Sequence, residues 1–357
     1  MKRAPADAGV SAFLVKLLRC IIITMIYSHS EIDRVGEIIR HERFDDDYYD
    51  AVKVLNNWRE AHGAILDKFF DKCVKLSRKI DKDIIVAQRL KRLPTIIDKL
   101  NRLDDMRLHR MQDIAGVRLI VKDMDELDVV AKKIRKWKDF ERSKNYIDNP
   151  KTTGYRGMHF IFKSEGYYVE IQLRTQLQHL WATSVETTDI FRGTSMKTRG
   201  DDTYWNEFFL SVSSAFAYVE DSIVLPEYAN FGLISTLLKM KKIINRYDIL
   251  SSLETMAFTN EVSQDSRFYK AYYILMDVDF EKKKCSVICA KEKDYDGLIK
   301  EYARLESDRK RRHSVVFVAV DDFRKLKDAY PNYFVDLNYF RSIIKFMLEN
   351  TKNEVKI

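Results

Sequence analysis

The stretch from Tyr168 to Arg174 alternates strictly, with Val169, Ile171 and Leu173 on one side and Tyr168, Glu170, Gln172 and Arg174 on the other. A period of two specifies a strand with one face on a core and the other lining a cleft. The polar face carries both a carboxylate and a guanidinium. The planar fork of Arg174 offers bidentate donors suited to phosphate, and Glu170 suits a divalent cation or a substrate hydroxyl. Any fold built on this strand has a charged cleft on one side of its sheet.

The rest of the chain divides around that strand. At 357 residues it is long enough for two domains. We place an N-terminal extension at 1–28, a first domain at 29–192, a helical connector at 193–262 and a small C-terminal α/β domain at 263–357. Residues 29–88 read as helices: Ser30 is a possible N-cap, and Val52, Leu55, Trp58 and His62 recur at helical steps. From 85 to 192 strands and helices alternate. Pro94 sits where a first helical turn tolerates it, with Ile96, Leu100 and Leu103 on one face of the helix that follows. Three further strand-like runs follow at 269–280, 285–291 and 314–322, the second of which contains Cys285 and Cys289. The predicted class is mixed α/β, a central mixed sheet flanked by helices.

Lys and Arg number 62 against 54 Asp and Glu, a net charge of +8 that leans toward a polyanionic partner. Four scattered cysteines provide neither a disulfide framework nor a CxxC zinc pair, so no zinc is expected and a reducing cytoplasm fits. The apolar run from Ala12 to Tyr27 contains Lys16 and Arg19, and its uncharged part from Cys20 to Ser28 falls short of the ~20 residues that span a bilayer. It reads as an amphipathic helix, or as a leader translated upstream of a start at Met25, and no membrane partner is expected.

Three further groups of residues carry chemistry. Arg89, Lys91 and Lys99 gather around the start of the Pro94 helix, where cations beside helix N-terminal amides make a polyphosphate site. Asp113 precedes a strand, where its carboxylate can share a metal with Glu170. The turn Gly154-Tyr155-Arg156-Gly157 can present an aromatic ring to a base.

In order, "RLKRLPTIIDK", "DIAGVRLI", "YIDNPKTTGYRGMH", "EIQLRT" and "HLWA" closely resemble the synthetase domain of the RelA/SpoT alarmone synthetase family over about residues 30–192. The resemblance implies that Arg89, Lys91, Lys99, Arg118 and Arg174 hold ATP phosphates and that Asp113 and Glu170 bind Mg2+. It implies that Tyr155 stacks on the acceptor base, with His159 in support. The reaction would move the β,γ-pyrophosphate of ATP to a 3′-hydroxyl, with Glu170 as base. Two departures stand out. No HD dipeptide marks a hydrolase, and Glu186 is followed by Thr187 where many small synthetases have a Glu-His pair. The tail "KLKDAYPNYF", with Tyr330 and Tyr333, resembles the tyrosine motif of fused toxin-antitoxin members, the CapRel subfamily. In that subfamily the pair would block the ATP site, the tRNA 3′ end would be the acceptor, and a phage protein bound by the C-terminal domain would release the block. A GTP or GDP pyrophosphokinase and an inactive nucleotide-binding sensor are the alternatives.

Overall fold

The computed structural model describes residues 27–41, 45–192, 203–255, 273–279, 284–290, 295–306, 313–320, 329 and 337–354. Two helices lead: α1 (His29–Arg40) and the long α2 (Asp46–Ile80). The cap of α1 is Ser28 rather than Ser30, because Glu31 lies three residues beyond Ser28 and closes a capping box with it. Asp45 caps α2 in the same local way. Of the predicted stripe, Leu55 and His62 are buried, while Val52 and Trp58 are half-buried at its edge.

Next come β1 (Ile85–Leu90), α3 (Leu93–Arg102), β2 (Ala115–Val121), α4 (Met124–Ile134), β3 (Phe140–Asn145), β4 (Met158–Ser164), β5 (Tyr167–Thr175) and α5 (Gln176–Arg192). Proline within the first turn of α3 fits the sequence reading. Leu103, expected on its inner face, instead terminates the helix and is 37% exposed. Three helices follow, α6 (Thr203–Val219), α7 (Gly232–Tyr247) and α8 (Ile249–Thr255), then β6 (Tyr273–Asp279), β7 (Lys284–Ala290), α9 (Tyr295–Glu306), β8 (His313–Val320) and α10 (Asn338–Glu354). Cys285 and Cys289 fall within β7.

All eight strands form one sheet in the order β3-β4-β5-β2-β1-β8-β6-β7. Among the described strands, only β2 and β5 pair in parallel. The two α/β units that the sequence separates are therefore joined edge to edge. Residues Ala87–Arg89 of β1 pair with Val318–Val320 of β8, so β1, which would otherwise present unpaired amides, becomes an interior strand.

One face of the first five strands packs on α2 and α4. Val86, Leu90, Val117, Leu119, Val169, Ile171, Leu173, Phe160 and Phe162 form this core with Phe69, Phe70, Leu127 and Val130. Burying large apolar side chains contributes roughly 1.5–3 kcal/mol each. A second core joins Tyr155 and Trp181 to α5, α6, α7, α8 and α10. The helices read as a connector pack as a layer against α5 and α10. The cleft lies between this layer and the polar face of the sheet.

Candidate active site

Register sets which side chains share the polar face. In one row Arg89 of β1 lies opposite Gly116 of β2, Glu170 of β5 and Ile161 of β4; in the next, Ala87, Arg118, Gln172 and His159 are aligned. Gly116 has no side chain between Arg89 and Glu170, which keeps the floor low where two charged groups meet. These residues line a cavity of about 660 Å3 together with Lys91, Arg92, Lys99, Arg102, Asp113, Lys144, Tyr146, Lys151, Tyr155, Arg174, Glu186 and Asp189. Arg89, Lys91, Lys99, Asp113, Arg118, Tyr155, His159, Glu170 and Arg174, all named from sequence, converge there.

On one side, the two oxygens of Asp113 accept separately: Oδ2 from Lys91 Nζ at 3.0 Å and Oδ1 from Lys99 Nζ at 2.8 Å. Burial pushes the Asp113 carboxyl up, but the two ammonium groups outweigh it and hold it well below the usual carboxylate range. The helix amides do not contribute as the sequence suggested. The Leu93 N–H donates to Glu306 Oε1 at 2.8 Å, Pro94 has none, and the Thr95 and Ile96 amides donate to Arg92 O. Positive charge at this end of the cavity comes from side-chain cations, not from helix amides.

On the other side a connected chain runs through five residues. His159 Nδ1 meets Glu170 Oε1 at 2.8 Å, and its Nε2 meets the Tyr155 hydroxyl at 2.6 Å. Arg174 Nη2 donates to the same hydroxyl at 2.7 Å, and Gln172 Nε2 donates to Glu170 Oε2 at 2.7 Å. Burial would lower His159, but Tyr155 and the Glu170 carboxylate override it and raise the imidazole to about 9. Burial would likewise raise Glu170, yet His159 holds it down to about 2. The pair is an imidazolium and a carboxylate.

Tyr155 departs from its expected setting. Its ring is 2% exposed, with Lys151 Nζ 5.0 Å and Arg174 Cζ 5.0 Å from the centroid. The ring is enclosed by these two cations and the second core, not open to a base. Tyr146, edge-on to both Tyr155 and His159, is the half-buried ring on this side, with Lys151 Nζ 4.8 Å from its centroid. Sequence reasoning passed over Tyr146 and Lys151, although both stand in the block that contains Tyr155. It also passed over Arg92, Arg102, Lys144 and Asp189, whose spacing gave no signal.

Two features fit a phosphorylated ligand and its metal. Arg174 is 2% exposed, and its Nε and Nη1 have no hydrogen-bond partner among the described residues, which suits an acceptor such as phosphate. Gly157, at φ +145°, lets the Arg174 stem pass, for a Cβ there would meet Arg174 Cγ at 3.1 Å. The carboxylates of Asp113 and Glu170 are close enough that each repels charge on the other. No cluster of three or more His, Cys, Asp or Glu suited to a metal occurs among the described residues. Two carboxylates without a protein cage suit Mg2+, which takes one or two carboxylates and completes its shell with water and substrate phosphates.

This cleft coincides with a known domain. Residues 88–192 match the family model for the region found in RelA / SpoT proteins. The RelA/SpoT region contains every sequence-derived cavity residue from Arg89 to Arg174, whereas Tyr330 and Tyr333 lie beyond it and outside the described residues. Two relatives are Bacillus subtilis GTP pyrophosphokinases. YjbM is 32% identical over 111 residues, covering 28% of this chain and 52% of YjbM. YwaC is 32% identical over 110 residues, covering 26% and 52%. The chain thus spans about half the length of these curated relatives. Among solved structures, the small alarmone synthetase 2 from Bacillus subtilis aligns with TM-score 0.40 at 24% identity, covering 46% of this chain and 93% of that one. No helix among the described residues is long and apolar enough to cross a membrane.

Proposed function

We propose that the RelA/SpoT region is an ATP-dependent pyrophosphokinase acting on a 3′-hydroxyl. The observation that carries this reading is the single cavity in which Lys91, Lys99 and Asp113 face Glu170, His159 and Arg174. Asp113 and Glu170 would hold Mg2+, which supplies charge neutralisation for the transferring oxygens. Lys91 and Lys99 exchange Asp113 for ATP phosphates, as Arg89 and Arg118 approach from the sheet. The acceptor oxygen attacks the β-phosphorus, the bond from that phosphorus to the α–β bridging oxygen breaks, and AMP leaves with the bridging oxygen. A carboxyl held near 2 binds a proton weakly, so Glu170 orients the hydroxyl and takes its proton late, when the new P–O bond has made it acidic.

For the acceptor we propose the tRNA 3′ end, in a toxin restrained by its C-terminal unit and released by a phage protein that this unit binds. The supporting observation is Ala329, which is fully buried; its carbonyl accepts from Arg118 Nη1 at 3.1 Å. Tyr330 follows it directly, so the segment bearing the tyrosine pair starts at a cavity cation. Tyr333→Ala is then expected to raise basal activity about tenfold. A second reading, guanosine nucleotide as acceptor, draws on the GTP pyrophosphokinase relatives. Incubation with γ-labelled ATP and either tRNA or GDP and GTP decides: label confined to guanosine nucleotides overturns the tRNA reading. Absence of transfer to any acceptor, with Tyr330 and Tyr333 also replaced, overturns enzymatic function and leaves a nucleotide-binding sensor.

A further inference from the structure

Helix α3 is the element that carries Lys99 into the site, and its N-terminus is built unlike those of α1, α2 and α4. Those three begin at Ser28, Asp45 and Asp123, each accepting from an amide of its own first turn, and each has acids in that turn. In α3 the N-cap is Arg92, whose side chain caps nothing, and the first turn has no acid. Lys91 and Arg92 place positive charge at the positive end of the helix dipole, which is unfavourable. A ten-residue helix so equipped does not hold itself together.

The missing anion arrives from the far end of the chain. Glu306, the last residue of α9, accepts from the Leu93 amide at 2.8 Å through Oε1, and from Arg59 Nη1 of α2 at 2.8 Å through Oε2. The Tyr302 hydroxyl donates to Oε1 at 2.8 Å and accepts from Arg59 Nη2 at 2.5 Å. The Arg59 and Glu306 side chains are 2% and 6% exposed. Arg92 itself donates to the Ser314 hydroxyl on β8. A local acid is disfavoured at this position, because it would compete with phosphate for Lys91 and Arg92. A buried carboxylate from another element avoids that competition, since Glu306 is absent from the cavity lining.

We propose that Glu306 is a positioning residue for the nucleotide site: it caps and orients α3, so the cationic wall is completed by the docked C-terminal unit. This rests on reading the Lys91–Lys99–Asp113 wall as the ATP phosphate site.

The test measures affinity for a non-hydrolysable ATP analogue with Mg2+, and melting temperature, in the full chain carrying Y330A and Y333A so that a blocking segment does not mask binding. Adding Glu306→Ala is expected to lower the melting temperature and weaken binding about tenfold. Because that variant leaves Arg59 buried without its partner, a second one replaces both, R59M with E306M. Removing both charges restores part of the melting temperature, the Tyr302 hydroxyl losing its two partners as well, while affinity stays weak because the Leu93 amide remains uncapped. Recovery of both quantities in the double variant makes Glu306 a stability residue only and overturns the proposal, as does unchanged affinity in Glu306→Ala. A parent that binds no analogue overturns the phosphate-site reading itself, and the proposal with it.

Discussion

The two walls of the cavity handle charge in opposite ways. On the β1–α3–β2 wall, two flexible ammonium groups converge on one carboxylate, and each contact can be traded for a phosphate oxygen without disturbing the backbone. On the β4–β5 wall, Glu170, His159, Tyr155 and Arg174 form a fixed chain in which each group holds the next. The first arrangement favours binding and release of a polyanion. The second fixes geometry and sets protonation. A site that moves a pyrophosphoryl group needs both, one wall to hold a large variable charge and the other to hold an oxygen nucleophile at a fixed angle.

The sharpest test of this division is Glu170→Gln, which removes the charge at the junction of the walls. Transfer should fall about 10³-fold while binding of the ATP analogue measured without Mg2+ changes little, as single-turnover assays and titration would read. Comparable losses in both would place Glu170 in binding. Lys99→Ala should raise KM for ATP about tenfold to a hundredfold, with the acceptor KM unmoved, the range lost when a hydrogen bond to a charged group is removed. Tyr146→Ala should do the reverse, raising acceptor KM about tenfold and leaving that for ATP unchanged. If both variants shift both constants together, the walls do not act separately.

The smallest effect concerns pH. His159 is raised from 6.5 to about 9 in the fold, so its contribution to stability is complete below about pH 6.5 and disappears as pH rises through 9. Glu170, lowered from 4.5 to about 2, contributes above about pH 4.5 and loses that contribution as pH falls through 2. The melting-temperature difference between wild type and His159→Gln should therefore shrink from pH 6 to pH 10. A flat difference would show that the two groups are not an ion pair. His62 provides the contrast. More deeply buried, and packed against Trp58 and Tyr167, it is pushed down to about 4 by burial, so it disfavours folding only as pH falls below 6.5. Two buried histidines differ in charge because only one faces an acid.

Much of the site was legible from sequence because strand alternation reports which side chains share a face. Glu170 and Arg174 could be placed from period alone, Lys91 and Asp113 from their positions beside a helix start and a strand start, and Lys99, in the last turn of its helix, from the family resemblance. Tyr155 could be located but not its surroundings: Arg174 reaches its ring from β5, and Lys151, within the same block, folds back over it. Tyr146 and Gln172 needed only a stricter reading of blocks already noticed. Arg102, Lys144 and Asp189 needed the fold.

By itself, the sequence determined most of the elements, though not β3, together with the apolar faces of β2 and β5 and the charged groups opposite them, since these follow from periods of two and 3.6 acting over a few residues. Only the tertiary structure decided that β8 would complete β1 and that Glu306 would cap a helix 213 positions away. The reason is physical. A strand edge and an uncapped helix start are visible locally as unmet hydrogen-bonding needs, but which distant group meets them depends on the packing of the whole chain.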